Sequence, residues 1–221
     1  MQFDAIIFDC DGTLVDSERL GNQVLVDCAA EVGVHFTLEE ALGRFVGGKM
    51  ADAVAYIEAL AGQPLPEDFT VSARERMARV FSTQLQPVQG INEVLCALVQ
   101  PYCVASSGPR DKIELSLSIT GLLPYFAGRI FSAYEVGRWK PDPDLFLHAA
   151  EAMGIRPERC AVIEDSVLGV RAGVAAGMTV FGYAPLDNGA ILAEWGARPF
   201  AAMNELPALL CRETPITGLS G

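Results

Sequence analysis

The chain has few features of a membrane protein or a nucleic-acid-binding protein. No apolar run approaches the roughly 18 residues that a helix needs to span a bilayer. Residues 1–8 have neither a basic start nor a small-residue cleavage site, so no signal peptide is expected. Basic residues are scarce, because 16 Lys and Arg stand against 28 Asp and Glu, a net charge of −12. This charge repels a phosphate backbone and disfavours nucleic acid as a partner, although a locally positive site can still hold a small anion.

Patterns for zinc binding and for disulfide bonding are also missing. The chain has six scattered cysteines without a C-x-x-C pair, and only two histidines. Structural zinc and a disulfide framework are therefore not expected. Most of the cysteines lie in apolar stretches, which is typical of small buried hydrophobic residues in a reducing compartment. We therefore expect the protein to be cytoplasmic.

The composition and periodicity predict an α/β fold. Of the 221 residues, 51% are hydrophobic and 20% are charged, which is enough to bury a sizeable core. Residues 17–86 show only helical patterns, whereas short apolar strands alternate with helices elsewhere. This order predicts a doubly wound, Rossmann-like parallel sheet made from residues 1–16 and 87–221, with an all-helical domain inserted at 17–86. The predicted strands are residues 3–8, 102–105, 129–132, 160–163 and 178–181. The predicted helices include residues 38–45, 91–99, 143–153 and 166–176, with weaker signals at 191–195 and 206–210.

Acidic side chains follow two of the predicted strands. Asp9 and Asp11 come after the first strand, and Glu164 and Asp165 come after a later one. Alternate residues of an extended chain share a face, so Asp9 and Asp11 can point at one small volume. Converging carboxylates suit Mg²⁺, which also keeps waters and substrate phosphates as ligands. Taken alone, Asp-x-Asp-Gly is equally well explained as a turn, and Glu-Asp-Ser as a helix N-cap.

Two further motifs have both a functional and a local explanation. Ser106 and Ser107 follow a predicted strand and precede a helix, where amides and hydroxyls can cradle an anion. The alternative is an ordinary capped helix with Pro109 near its first turn. Lys140 lies in a proline-flanked turn that fixes its direction. It is predicted either to lie beside a phosphate or to be a solvated surface group, as most lysines are.

Taken together and in order, these motifs resemble the four motifs of the haloacid dehalogenase (HAD) superfamily. They are Asp-Cys-Asp-Gly-Thr-Leu-Val-Asp-Ser at 9–17, a strand-end serine at 106, Lys-Pro-Asp-Pro at 140–143 and Glu-Asp-Ser at 164–166. The resemblance covers nearly the whole chain and includes a helical cap inserted after the first motif, as in the β-phosphoglucomutase-like branch. It implies a phosphatase that requires Mg²⁺ and forms an aspartyl phosphate. The implied substrate is a small phosphorylated sugar or sugar acid, with 6-phosphogluconate as one candidate.

The resemblance also implies roles for the acidic residues. Asp9 is expected to be the nucleophile, because an ionised carboxylate is needed to attack phosphorus. Asp11 is expected to be the general acid and base, and to bind the metal through its backbone carbonyl. Asp9, Asp11, Glu164 and Asp165 together form the expected magnesium site, with Mg²⁺ reducing the repulsion between nucleophile and substrate.

Other positions are expected to bind the substrate. The resemblance implies that Ser106 and Lys140 hold the phosphoryl oxygens and that Lys140 offsets their developing charge. Amides near Gly12 and Ser107 are expected to be further donors.

The loop at residues 45–49 is the expected cap loop. Its Gly47 is expected to reach into the site, and Lys49 is expected either to bind a second anionic group, such as the carboxylate of a sugar acid, or to be solvated.

Two other functions are weighed against the phosphatase. β-Phosphoglucomutases carry a histidine ten residues after the acid/base aspartate, but here that position is Gly21, so a mutase is less favoured. A weakly catalytic protein that binds a phosphorylated metabolite or a partner protein is disfavoured, because every residue that the chemistry needs is present. A capped domain of this size can act alone, so a monomer is expected.

Overall fold

The central sheet has six parallel strands in the order β3-β2-β1-β4-β5-β6. The computed structural model describes residues 3–186 and 189–211. The strand order reverses beside β1, and doubly wound sheets bind ligands at the crevice that this reversal creates. The predicted α/β class is confirmed. The strands are β1 (Ala5–Phe8), β2 (Tyr102–Ser106), β3 (Ile130–Ser132), β4 (Cys160–Glu164), β5 (Thr179–Tyr183) and β6 (Arg198–Phe200).

Helices cover both faces of the sheet and fill the segment after β1. Along the described ranges 3–186 and 189–211, none of them is long and apolar enough to cross a membrane. The helices are α1 (Glu18–Glu31), α2 (Leu38–Phe45), α3 (Met50–Ala61), α4 (Phe69–Gln84), α5 (Ile91–Ala97), α6 (Arg110–Ile119), α7 (Ala133–Val136), α8 (Asp144–Ala152), α9 (Val167–Ala175), α10 (Ala190–Glu194) and α11 (Leu206–Cys211).

Strand β1 is buried on both faces. Ile6 and Phe8 belong to one hydrophobic cluster, and Ile7 belongs to a second cluster on the opposite face. Alternate side chains of a strand point to opposite faces, so both faces of β1 must be apolar. This explains why the sequence pattern of β1 is a short continuous apolar run that ends abruptly at Asp9.

The helical insertion, residues 17–86, has a hydrophobic cluster of its own. Val24, Cys28, Ile57 and Phe69 are buried in it. Burying one such aliphatic or aromatic side chain contributes roughly 1.5–3 kcal/mol. The two links to the sheet run side by side, since the Asp16 amide donates to the Gln86 carbonyl (3.0 Å) and the Val88 amide to the Leu14 carbonyl (2.9 Å). The two ends of this helical segment thus lie next to each other beside the sheet.

The cysteines are mostly buried, as the apolar stretches around them predict. Cys10, Cys28, Cys103 and Cys160 are buried, whereas Cys96 and Cys211 are exposed. Cys10 lies between Asp9 and Asp11 but packs into the hydrophobic core. The Cys10 side chain therefore has a packing role.

Candidate active site

Asp9 and Glu164 lie side by side at the carboxyl edge of the sheet. Phe8 is paired with Ile163 in the β1–β4 ladder, and the Asp9 amide donates to the Ile163 carbonyl (2.9 Å). Glu164 is the last residue of β4. The backbone pairing therefore brings the two carboxylates together at the point where the strand order reverses.

Lys140 connects these two carboxylates. Its Nζ lies 2.6 Å from Asp9 Oδ1 and 2.6 Å from Glu164 Oε1. The Lys140 side chain is only 1% exposed, so it is not a solvated surface lysine. The proline-flanked turn at 140–143 enters the α8 N-terminus and directs this ammonium group into the sheet edge.

Burial and neighbouring charges shift the pKa values of this pair. Burial raises the pKa of Asp9 to about 7, against the opposing effect of the Lys140 ammonium. For Lys140 burial lowers the pKa, but the carboxylates of Asp9 and Glu164 outweigh it and hold the pKa above its usual value. Lys140 is therefore a permanently charged group beside Asp9.

The Glu-Asp-Ser motif forms a helix cap and the edge of the acidic site at once. Ser166 Oγ accepts from the Gly169 amide (3.0 Å) and so caps α9. The same residue donates to Glu164 Oε2 from its amide (2.7 Å) and from its hydroxyl (2.9 Å). The N-cap explanation is therefore right, and it accounts for the fixed position of the Glu164 side chain.

The acidic residues at this edge fit a divalent cation. Within residues 3–186 and 189–211, carboxylate oxygens of Asp9, Glu164 and Asp165 lie within 4.8 Å of one another. Burial, followed by the charges of Glu164 and Asp9, raises the pKa of Asp165 well above its usual value. Mg²⁺ binds oxygen ligands, usually one or two carboxylates together with waters and substrate phosphates. Both Glu164 oxygens already accept hydrogen bonds, which leaves Asp9 and Asp165 as the less constrained donors.

Gly12 allows Asp165 to come close to the loop after β1. A Cβ atom at position 12 would lie 2.0 Å from Asp165 Oδ2, and the backbone φ is +74°. Thr13 then donates from its hydroxyl to Asp165 Oδ1 (3.1 Å). Only glycine is compatible with both the backbone conformation and this contact.

The Asp11 carboxylate has different partners from Asp9. Ser17 donates to Asp11 Oδ1 (2.6 Å), and Lys112 Nζ lies 2.7 Å from Oδ2. Although burial raises the pKa of Asp11, Lys112 and Ser17 outweigh it and hold the pKa below its usual value. The Asp11 side chain does not belong to the Asp9, Glu164 and Asp165 cluster, so its expected metal contact depends on its backbone carbonyl, as predicted from the motif.

Lys112 was missed by sequence reasoning. It lies in the first turn of α6, in a segment without a recognisable motif beyond the strand-end serines. The one signal that could have found it is topological, because α6 begins at the same sheet edge as the predicted site.

The Ser106–Ser107 segment forms a polar loop before α6. Ser106 is buried, and its Oγ accepts from the Gly108 amide (3.1 Å). Ser132 donates to the Gly108 carbonyl (2.7 Å) and so fixes the loop from β3. In the part of the chain that the structure describes, the buried Ser107 Oγ has no hydrogen-bond partner. The N-cap residue of α6 is Pro109, which makes no side-chain cap bond, so ordinary helix capping does not explain these serines.

A cavity of about 430 Å³ separates the sheet edge from the helical insertion. Its volume is that of a site for a small molecule. On the sheet side it is lined by Asp9, Asp11, Ser106, Ser107, Gly108 and Lys112, and on the insertion side by Phe45, Gly47, Lys49, Met77 and Phe81.

The loop at 45–49 contacts the sheet domain beside the acidic residues. Gly47 has φ +73°, and a Cβ there would lie 2.3 Å from Ser166 Oγ. Lys49 Nζ lies 3.9 Å from Asp52 Oδ1 and 5.2 Å from the ring centroid of Trp139. Lys49 is half-buried and lines the cavity, so the predicted loop does reach the site.

Glu18 is a second lining residue that sequence reasoning did not select. Asn22 donates to Glu18 Oε2 (3.0 Å). Burial, followed by the charge of Asp11, raises the pKa of Glu18 to about 8. The residue therefore brings a neutral carboxyl group to the cavity at neutral pH.

Comparison with known proteins assigns the chain to a family. A model described as haloacid dehalogenase-like hydrolase matches residues 3–177. The chain therefore belongs to the haloacid dehalogenase-like hydrolase family, which confirms the resemblance of the motifs and the prediction of a hydrolase.

Named relatives and a solved structure agree with this assignment. The chain is 35% identical to 6-phosphogluconate phosphatase of Escherichia coli, over 94% of this chain and 95% of the relative. It is 30% identical to hexitol phosphatase A of the same organism, over 85% of this chain and 87% of the relative. A haloacid dehalogenase-like protein of Agrobacterium tumefaciens has a TM-score of 0.82 and 35% identity, over 94% of this chain and 97% of that one.

Proposed function

We propose that the protein is a Mg²⁺-dependent phosphatase that hydrolyses a small phosphorylated sugar or sugar acid, with 6-phosphogluconate as the leading candidate. The observation that carries this proposal is the position of Asp9, which lies beside Lys140 and two further carboxylates at the floor of the cavity. The names of the relatives, which include a phosphatase of a phosphorylated sugar acid and one of hexitols, support the same class of substrate.

The reaction proceeds in two transfers on Asp9. The Asp9 carboxylate attacks phosphorus and forms an aspartyl phosphate, while the ester oxygen leaves with its bonding electrons and is protonated by Asp11. Because Lys112 and Ser17 hold the pKa of Asp11 below its usual value in the free protein, Asp11 must take up this proton when the substrate binds. Water then attacks the aspartyl phosphate, Asp11 accepts its proton, and inorganic phosphate leaves the restored Asp9 carboxylate. Asp9, Asp165, Glu164 and the Asp11 carbonyl would hold Mg²⁺, which would supply charge neutralisation between the nucleophile and the phosphoryl group.

Neighbouring donors hold the phosphoryl oxygens. Lys140 offsets charge on these oxygens, because it is buried and charged beside Asp9. Ser106 lies at the end of β2. The Ser107 hydroxyl, which has no hydrogen-bond partner among residues 3–186 and 189–211, is available to an anion in the cavity. Amides of the loop containing Gly12 complete the set.

We also propose that residues 17–86 form a cap domain on a core made of residues 1–16 and 87–221. The separate hydrophobic cluster of the insertion and the adjacent links at its two ends support this division. The cap brings Gly47 and Lys49 to the cavity, where it excludes water from the reacting groups, and Lys49 is a candidate for binding a second anion.

The site supports hydrolysis over phosphoryl transfer to a second sugar. Gly21 stands where β-phosphoglucomutases are expected to have a histidine, and it lines the cavity without a side chain. We propose that the enzyme works as a monomer, because one chain supplies every group named above. The buried thiols support a reducing compartment, the cytoplasm. The excess of acidic residues disfavours nucleic acid and anionic membrane surfaces.

Phosphate release from a panel of phosphate esters, with and without Mg²⁺, tests the proposal. Asp9→Asn is expected to abolish release, because an amide cannot form the aspartyl phosphate. Asp4→Asn is the matched control, since Asp4 precedes β1 at the opposite edge of the sheet and pairs with Arg159 (2.7 Å). An Asp9→Asn variant with most of its activity would refute the assignment. Conversion of β-glucose 1-phosphate to glucose 6-phosphate without net phosphate release would show a mutase instead.

A further inference from the structure

One stripe of α4 forms a wall of the cavity. Arg74, Met77, Ala78 and Phe81 all line it, and their spacing places them on the same face of the helix. Phe81 marks the end nearest the reacting groups, because its ring centroid lies 6.0 Å from the Nζ of the lysine bound to Asp11. Arg74 lies seven residues earlier, which is about 10 Å along the helix axis at 1.5 Å per residue. The cavity wall formed by α4 therefore runs from Phe81, near the reacting groups, to an end that carries the guanidinium group of Arg74.

Arg74 differs from the other cavity-lining cations on the insertion and on α6. Lys112 is paired with Asp11 at 2.7 Å, and Lys49 lies within 3.9 Å of a carboxylate. Within residues 3–186 and 189–211, none of the ion pairs includes Arg74. Its guanidinium donates to the hydroxyl of Tyr134 (2.8 Å), a residue that also lines the cavity. The positive charge of Arg74 is thus available to an anion in the cavity.

The contact with Tyr134 positions Arg74 at the rim. Tyr134 comes from the sheet domain, and its ring packs edge-on against Trp139 with a centroid distance of 5.2 Å. Lys49 lies over the other ring of this pair. The Tyr134 hydroxyl accepts a hydrogen bond from Arg74 and keeps its own proton, which it can donate to the same anion. Arginine with a second donor is well suited to a planar carboxylate.

We infer that Arg74, held by Tyr134, binds a carboxylate of the substrate at the end remote from its phosphate. This inference rests on the proposed phosphatase function and specifies the substrate class. The substrate is a phosphate ester of a sugar acid whose carboxylate lies several carbons from the ester oxygen. A two-carbon phospho acid keeps both groups together and cannot reach both ends of the cavity. The second anion thus binds to Arg74 in preference to Lys49, because the Lys49 ammonium already lies near the Asp52 carboxylate.

Two substrates with the same number of carbon atoms distinguish carboxylate binding by Arg74 from a general effect of Arg74 on activity. We compare kcat and KM for 6-phosphogluconate and for sorbitol 6-phosphate, which has a neutral alcohol in place of the carboxylate. Arg74→Gln is expected to raise the KM for the acid at least about tenfold, to leave the sorbitol ester within about twofold, and to change kcat little. Arg74→Lys is expected to raise the KM for the acid less than Arg74→Gln does, because lysine keeps the positive charge but lacks the planar guanidinium group. The control is Arg79→Gln, since Arg79 is exposed on the same helix and pairs with Glu75.

Four results would overturn the inference or its basis. The Arg74–Tyr134 hydrogen bond also joins the helical insertion to the sheet side of the cavity. If Arg74 only holds these two parts together, Arg74→Gln would lower activity on both substrates equally. An unchanged KM for the acid in that variant would show that Arg74 does not bind the carboxylate. If the wild-type enzyme releases phosphate from none of the esters, the proposed function itself fails. If it hydrolyses the esters without an Arg74-dependent preference for the acid, only this inference fails.

Discussion

Replacing Gly47 with alanine tests whether the loop at 45–49 must touch the sheet domain for catalysis. The added Cβ would lie 2.3 Å from Ser166 Oγ and 2.5 Å from Ser166 Cβ, well inside van der Waals contact. Ser166 cannot turn away easily, because it is hydrogen-bonded to Glu164 and to the Gly169 amide. The loop must therefore move, and it carries Lys49 and the cavity wall with it.

The magnitude follows from two separable effects. Gly47 has φ +73°, and a non-glycine residue in this left-handed region costs roughly 1–2 kcal/mol. Gly62 is the matched control, since its φ is +67° but a Cβ there meets nothing within 4 Å. Both alanine variants are expected to lose about 1–2 kcal/mol of unfolding free energy. Only Gly47→Ala displaces the loop, and displacing binding groups by about 1 Å lowers kcat/KM by up to about a hundredfold.

Urea unfolding and steady-state kinetics on the same preparations separate these effects. We expect Gly62→Ala to keep the wild-type kcat/KM and Gly47→Ala to lose at least about tenfold. Full activity in Gly47→Ala would show that the loop need not pack against Ser166. Equal losses of activity in both variants would mean that backbone strain, and not the contact, is responsible.

Two further substitutions test the charges at the site. Lys140→Met leaves the Asp9 and Glu164 carboxylates buried without the cation that they share. The free energy of unfolding, measured by urea titration, should therefore fall by about 3–5 kcal/mol. An unchanged free energy of unfolding would contradict the two ion pairs. The pKa of Glu18 rises from an ordinary 4.5 to about 8 on folding, so its effect on stability is absent below pH 4.5 and grows as the pH rises toward 8. Between metal-free samples at pH 5 and pH 9, Glu18→Gln should therefore gain stability relative to the wild type by up to about 4 kcal/mol, at roughly 1.4 kcal/mol per pKa unit. Parallel stability curves would refute the raised pKa.

The sheet is predictable from the sequence where burial is two-sided. β1, β2, β4 and β5 are read correctly because strands covered on both faces are short continuous apolar runs. β6 was missed, because Arg-Pro-Phe is only three residues long and contains a charged residue and a proline. Proline at its centre is tolerated since β6 is an edge strand with only β5 as a neighbour.

Some residues of the site can likewise be predicted from the local sequence, whereas others depend on tertiary packing. Asp9, Glu164 and Lys140 occur in recognisable motifs at strand ends, where the topology of a parallel sheet brings them together. Arg74 and Lys112 occur in ordinary amphipathic helices, where arginine and lysine are usual on exposed faces. Nothing local distinguishes them, because their place at the cavity depends on how α4 packs across α6.

Rigid backbone pairing explains why like charges stay close at this edge. The carboxylates of Asp9, Glu164 and Asp165 lie within 4.8 Å of one another although Lys140 supplies a single ammonium between two of them. Free side chains would separate, but here the Asp9 amide is bonded to β4 and the Glu164 carboxylate to Ser166. Burial, together with this repulsion, raises the pKa values of Asp9 and Asp165. The fold therefore gives up stability at one point of the sheet edge, and this is the point at which a cation and a phosphate ester would both be stabilised.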